Sequence, residues 1–101
     1  MRKITREAIN AFMNQEDYKK DNTEVCQSIL WTHLYLHGNE IAMFEKDYEN
    51  EKDIISITTA HWNTNTTLER LRGIPWVNSL RKKQWKLFLN DQEWNGEWIA
   101  L

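Results

Sequence analysis

The stretch Ile29 to Glu45 reads ILWTHLYLHGNEIAMFE, and its alternation restricts the fold more than any other part of the chain. Successive residues of a β-strand point to opposite faces. Ile29, Trp31, His33 and Tyr35 would therefore share one face, and Leu30, Thr32, Leu34 and Leu36 the other. Gly38 and Asn39 both tolerate positive φ, which suits a tight hairpin turn. Glu40 to Glu45 then reads as the returning strand, with Leu36 facing Ile41, Leu34 facing Met43 and His33 facing Phe44. This hairpin commits the centre of the chain to antiparallel pairing.

The flanking segments supply the other elements. Thr5 can cap a helix over Arg6 to about Asn14, with Ile4 and Ile9 as a hydrophobic staple and Ile9, Phe12 and Met13 on one face. Asn14 to Asn22 reads as a polar segment, and the acidic run Glu45 to Asp53 as an exposed loop. Asp53 to Ala60, rich in Ile and Thr, is a third strand. Thr66-Thr67-Leu68-Glu69 matches a capping box, so the spacing predicts a short helix over Thr67 to Arg72. A left-handed Gly73 would end it, and Pro75 would prevent continuation. Further on, Trp76 to Leu80 is a possible strand, RKKQ a basic connection, and Trp85 to Leu89 a strand with Trp85, Leu87 and Leu89 on one face. Asn90-Asp91 and Asn95-Gly96 offer turns. The order predicts an α+β fold: a mostly antiparallel sheet of five or six strands, an N-terminal helix and a second short helix. With 101 residues and no Pro, Gly or Ser-rich linker, residues 1–101 read as one domain.

Hydrophobic residues at 41% and aromatics at 12% exclude an intrinsically disordered chain. The six tryptophans are spread over nearly every element and read mainly as core, with Trp94 and Trp98 the first candidates for exposure to a partner. A net charge of -2 argues against a uniformly basic nucleic-acid binder. Charge is nonetheless segregated: Glu45 to Asp53 carries five acids and two lysines, while Glu69 to Lys86 carries six Lys or Arg against one Glu. The single Cys26 cannot form an internal disulfide, no apolar run approaches the ~18 residues of a membrane span, and no signal-peptide core follows the basic start. A cytoplasmic, non-membrane protein is expected.

No HExxH, CxxC, HxE or GxSxG pattern occurs, so an enzyme is not expected and no cofactor is implied. His33 and His37 share a strand face and could hold a metal with Glu40 or His61, but no ligand motif supports such a site. A second possibility is anion or nucleic-acid binding where the third strand enters the short helix, using His61, Trp62, Arg70, Arg72 and Lys86, which would make the chain a small nucleic-acid or nucleotide-binding regulatory protein using the basic segment 70–86. The third is a protein-binding surface of Trp94, Trp98, Arg81, Lys82 and Lys83.

The segments REAINAF (Arg6 to Phe12), LYLHGNEIA (Leu34 to Ala42), WNTNTTLERLRGIP (Trp62 to Pro75) and LNDQEWNGEW (Leu89 to Trp98) together resemble a group of small bacteriophage accessory proteins. The resemblance implies a phage protein acting in the host cytoplasm, in a class that includes inhibitors of host defence, anti-CRISPR proteins among them, and of host enzymes. It implies a host protein or protein complex as partner and brings no catalytic residues with it.

Overall fold

The computed structural model describes residues 1–47 and 49–101. Its elements are α1 (Lys3–Met13), β1 (Tyr18–Lys20), β2 (Thr23–Gln27), β3 (Trp31–Leu36), β4 (Asn39–Asp47), β5 (Lys52–Ile57), α2 (Asn65–Arg72), β6 (Leu80–Lys83), β7 (Lys86–Leu89), β8 (Gln92–Trp94) and β9 (Ile99–Ala100). Among the described residues, β1 to β5 lie side by side in chain order and β9 returns to the far edge against β5, giving a six-stranded antiparallel sheet. Strands β6, β7 and β8 form a smaller antiparallel sheet. The fold is α+β, as the sequence predicts. No helix is long and apolar enough to cross a membrane among the described residues.

The alternation of β3 holds: Thr32, Leu34 and Leu36 are buried, while Trp31, His33 and Tyr35 lie on the opposite, wetter face. Phe12 of α1 meets Phe44 of β4 edge-on, with ring centroids 6.0 Å apart at 81°, a favoured aromatic geometry. Leu87, Leu89 and Trp94 of the small sheet join the same buried cluster as Leu34, Ile41 and Ile57 of the large one.

The β3–β4 register differs from the predicted one. The turn falls on His37 and Gly38, whose φ values are 52° and 78°, so Leu36 pairs with Asn39 rather than Ile41. Tyr35 then faces Glu40 while Leu34 faces Ala42, and the register shift leaves Ile41 as an extra residue. This bulge lets both Ile41 and Ala42 reach the interior, where they are 1% and 0% exposed. The Asn14 to Asn22 segment is not all loop, because Tyr18–Lys20 pairs with Val25–Thr23. Of the acidic run, Glu45–Asp47 extends β4, Lys52 and Asp53 open β5, Glu49–Glu51 form an exposed turn, and Tyr48 lies outside the described residues. Strand β5 ends at Ile57, before Ala60. RKKQ is mostly strand, since Leu80–Lys83 pairs with Lys86–Leu89 around a turn at Gln84 and Trp85.

Both helix entrances also move. Helix α1 starts at Lys3, with Arg2 rather than Thr5 as its cap residue. The Thr5 hydroxyl is taken by a tertiary contact instead. Helix α2 is capped by Thr64, whose Oγ1 accepts from the Thr67 N–H at 3.2 Å, so the predicted Thr66 box does not form. Glu69 turns away from the helix entrance. One carboxylate oxygen accepts from the Thr5 hydroxyl and from Arg70 Nη1 (2.6 Å), and the other from the Arg2 N–H (3.4 Å). Arg70, 1% exposed, also donates through Nη1 to Thr5 Oγ1 (2.7 Å) and through Nε to Thr23 Oγ1 (3.2 Å). One guanidinium thus joins α1, β2 and α2.

Gly73 has φ -72°, so it is not left-handed as predicted. Its lack of a side chain serves a close approach, since a Cβ there would lie 2.8 Å from Ile9 Cγ1 and 2.9 Å from Thr5 Cγ2. Gly73→Ala is expected to lose about 1–3 kcal/mol by overpacking α1 against the end of α2, measured by denaturant unfolding.

Burial tends to raise the Glu69 pKa, but the hydrogen bonds from Thr5, the Arg2 N–H and Arg70 outweigh it and hold the carboxyl below its ordinary value. The folded state therefore binds fewer protons than the unfolded one in acid. The contribution is present in full above the unfolded-state pKa and is lost as pH falls below about 4.3 and then through the lower folded-state value. Glu69→Ala, which strands the buried guanidinium, should cost about 3–5 kcal/mol at neutral pH. Glu69→Gln should remove this part of the acid dependence, read from unfolding midpoints across pH.

Candidate interaction surface

The β6–β7 hairpin is short and its sequence is nearly all polar beyond its base. Leu80, Leu87 and Leu89 anchor that base in the core, and Arg72 Nε donates to the Leu80 carbonyl at 2.7 Å. From there the strands carry Arg81, Lys82, Lys83 and Lys86 outward, all exposed. The turn at the tip is formed by Gln84 and Trp85 with φ 51° and 70°. Two consecutive left-handed residues match the twist of a hairpin, but Asn-Gly would adopt them at far less cost. Positive φ is unusual for so large a side chain as Trp. The Trp85 indole points into solvent at 92% exposure.

Core placement of the tryptophans is overturned. Among the described residues Trp94 alone is buried, while Trp31, Trp62, Trp76, Trp85 and Trp98 are exposed. The interior is instead built from Ile, Leu, Val, Ala and Phe, whose side chains leave no N–H to satisfy. Trp94 therefore lacks the exposure expected of it: it packs in the core and donates Nε1–H to the Glu97 carbonyl at 2.9 Å. Trp98 is half exposed and lines a shallow cavity with His61 and Glu97.

The remaining predicted groups separate. Arg81 pairs with Asp91 (3.1 Å) beside the Phe88 ring, Lys86 with Glu93 (3.4 Å), and Lys82 donates to the Asn63 carbonyl (3.2 Å). Arg70 is not available to an external anion, because it is buried and bonded to Thr5, Thr23 and Glu69. Arg72 lies at the far end of α2, against β6. His61 and Trp62, though adjacent, line different cavities, because the turn from Thr59 to Trp62 gives Ala60 and His61 φ values of 54° and 67°. Trp62 borders a cavity of about 470 Å3 floored by Leu36 and Ile41 and rimmed by Thr64 and Thr66. The anion set is therefore not one site.

His33 Nδ1 lies 2.6 Å from Glu40 Oε2, and His37 Nε2 contacts Asn22 at 3.3 Å, so the two histidines have separate partners. No group of three His, Cys, Asp or Glu residues is placed to hold a metal among the described residues. The Cys26 thiol donates to Glu24 (3.3 Å); that hydrogen bond and partial burial push its pKa up, away from the reactive thiolate.

Fold and surface together define a small α+β protein with an exposed tryptophan at the tip of its β6–β7 hairpin. The family model of the Kyanoviridae Gp96 protein matches residues 1–100, and the chain belongs to this phage protein family. No curated protein and no solved structure matches it.

Sequence spacing misses the Trp85 tip because Trp85-Lys86-Leu87-Phe88-Leu89 alternates well enough to read as strand throughout. The paired positive charges on either side of Gln84-Trp85 are the signal that marks a hairpin end. At the rim of the Trp62 cavity, Thr64→Ala should cost about 1 kcal/mol through loss of the cap. Thr66→Ala should stay within about 0.5 kcal/mol, the two compared by thermal unfolding.

Proposed function

We propose that this phage protein is a non-enzymatic binding protein that docks on a host protein or defence complex, of the kind an anti-CRISPR protein would block, and acts in the host cytoplasm. The observation that carries this reading is Trp85, 92% exposed on a strained turn between Lys83 and Lys86. An indole offers roughly 200 Å2 for burial, an upper limit of about 5 kcal/mol at ~25 cal/mol per Å2, and nearly all of it is left in water in the isolated fold. A left-handed Trp costs about 1–3 kcal/mol, and the firm base of the hairpin sustains it. Rigid presentation lowers the entropy lost on docking. Lys82 and Lys83 suit an acidic rim around the pocket that receives the ring.

Nucleic-acid binding by residues 70–86 is less well supported. Arg70 is consumed by the core, and Arg81 and Lys86 already face Asp91 and Glu93. Few cations remain to displace counterions from a phosphate backbone.

The test uses the full chain as bait in host lysate, beside Trp85→Ser and the double variant Lys82→Glu/Lys83→Glu. The wild type is expected to retain a stable protein partner and to inhibit its purified activity at near-stoichiometric amounts. Each variant should bind that partner at least ~10-fold more weakly with an unchanged melting temperature. Full binding by both variants would remove the hairpin from the mechanism. Tight, steeply salt-dependent DNA or RNA binding without a protein partner would transfer the function to nucleic acid.

A further inference from the structure

A second hairpin tip carries the opposite chemistry. Between β2 and β3 the Ser28 N–H donates to the Trp31 carbonyl at 2.8 Å, so Ile29 and Leu30 occupy the centre of a tight turn. Turn centres favour Gly, Pro, Asn and Asp. Here Ile29 is 99% exposed, Leu30 56% and Trp31 38%, three large apolar side chains in succession.

The turn is braced from behind. Ser28 Oγ donates to the Trp31 carbonyl (3.2 Å) and contacts His33 Nε2 (3.1 Å), and the other ring nitrogen of His33 meets Glu40. The tip is thus tied through β3 to β4. Antiparallel register also fixes its surroundings. Trp31 stands opposite Glu45, and Asp47 opposite Lys52, so the β4–β5 turn lies at the same end of the sheet. That turn and its flanks carry Glu45, Asp47, Glu49, Glu51 and Asp53 against Lys46 and Lys52. Side-chain and backbone hydrogen bonds from Asn50 to the Asp47 carboxylate tie the turn together and hold that carboxyl below its ordinary pKa.

We infer that the Ile29-Leu30-Trp31 tip is a second docking surface, which inserts into an apolar pocket of a partner protein whose rim is basic. The apolar knob supplies burial, and the carboxylates beside it select the rim. An anionic bilayer is disfavoured, since membrane-seeking apolar elements carry Lys and Arg beside them. Phosphate backbones are disfavoured by the same charges. This surface lies on a different sheet from the Trp85 hairpin, and its failure would leave that hairpin's role untouched.

The test places a photo-crosslinking residue at position 30 of the full chain and irradiates it in host lysate. A single host-protein adduct is expected, mapping to a segment with exposed Lys or Arg. The purified host protein should then bind Ile29→Ser/Leu30→Ser and Glu49→Lys/Glu51→Lys chains at least ~10-fold more weakly than wild type, with melting temperatures unchanged. Absence of a discrete adduct overturns the inference. So does an adduct only with a second copy of this chain, equal binding by both variants, or tip-dependent binding to phosphatidylglycerol vesicles in place of protein.

Discussion

One buried cation, Arg70, organises the framework. Arg70 leaves α2 and spends its hydrogen bonds on Thr5 of α1, Thr23 of β2 and its neighbour Glu69, whose carboxylate also caps the chain at Arg2. Removing a guanidinium from water is expensive, and the pair with Glu69 by itself does not guarantee net stability. What the arrangement does supply is geometry. Alternative packings of α2 would strand a charge away from water. The glycine at position 73 completes the fit, because α1 presses Ile9 and Thr5 against the end of α2 where a Cβ would intrude.

Outside this framework the sheets depend on tight turns, some of which use unfavourable residues. His37-Gly38, Gln84-Trp85 and Asn90-Asp91 each place two consecutive residues at positive φ, as does the Ala60-His61 turn that swings the chain from β5 toward α2. Asn, Asp and Gly do this at little cost, whereas Trp and Ala do not. At Ala60-His61 the result is that neighbouring side chains face different cavities. At Gln84-Trp85 it is an indole held in water.

Legibility of the sequence follows from these same features. The β3 faces and the apolar stripe of α1 are readable because burial there obeys a simple period, with Leu34 and Leu36 on one side and Ile9 and Phe12 on the other. The β1–β2 hairpin is hard to read because Tyr18-Lys19-Lys20 contributes little to the core and the signal rests on Thr23 and Val25. The β3–β4 register differs by two residues at Leu36 and by one beyond the bulge, because Gly38-Asn39 and His37-Gly38 are both acceptable turns, and the bulge at Ile41 decides between them through burial. The tryptophans mislead in the other direction, since size suggests burial while most of them lie at edges and tips. Arg70 is the deepest misreading. A basic residue on a short helix looks solvated until Thr5 and Thr23, 65 and 47 residues away in the chain, are brought to it by folding.

The separation of the core network from the hairpin tips bears on how such a protein can acquire a binding role. Ile29 and Leu30 sit on a turn braced by Ser28 and His33, and Trp85 on strands anchored at Leu80, Leu87 and Leu89. Substituting an exposed tip leaves those anchors in place, so its effect on folding is small. Both tips expose apolar area in the free protein, one beside carboxylates and the other beside lysines. A partner that accepted one by charge would repel the other, so under the proposed reading the two tips would select either different partners or oppositely charged regions of one assembly.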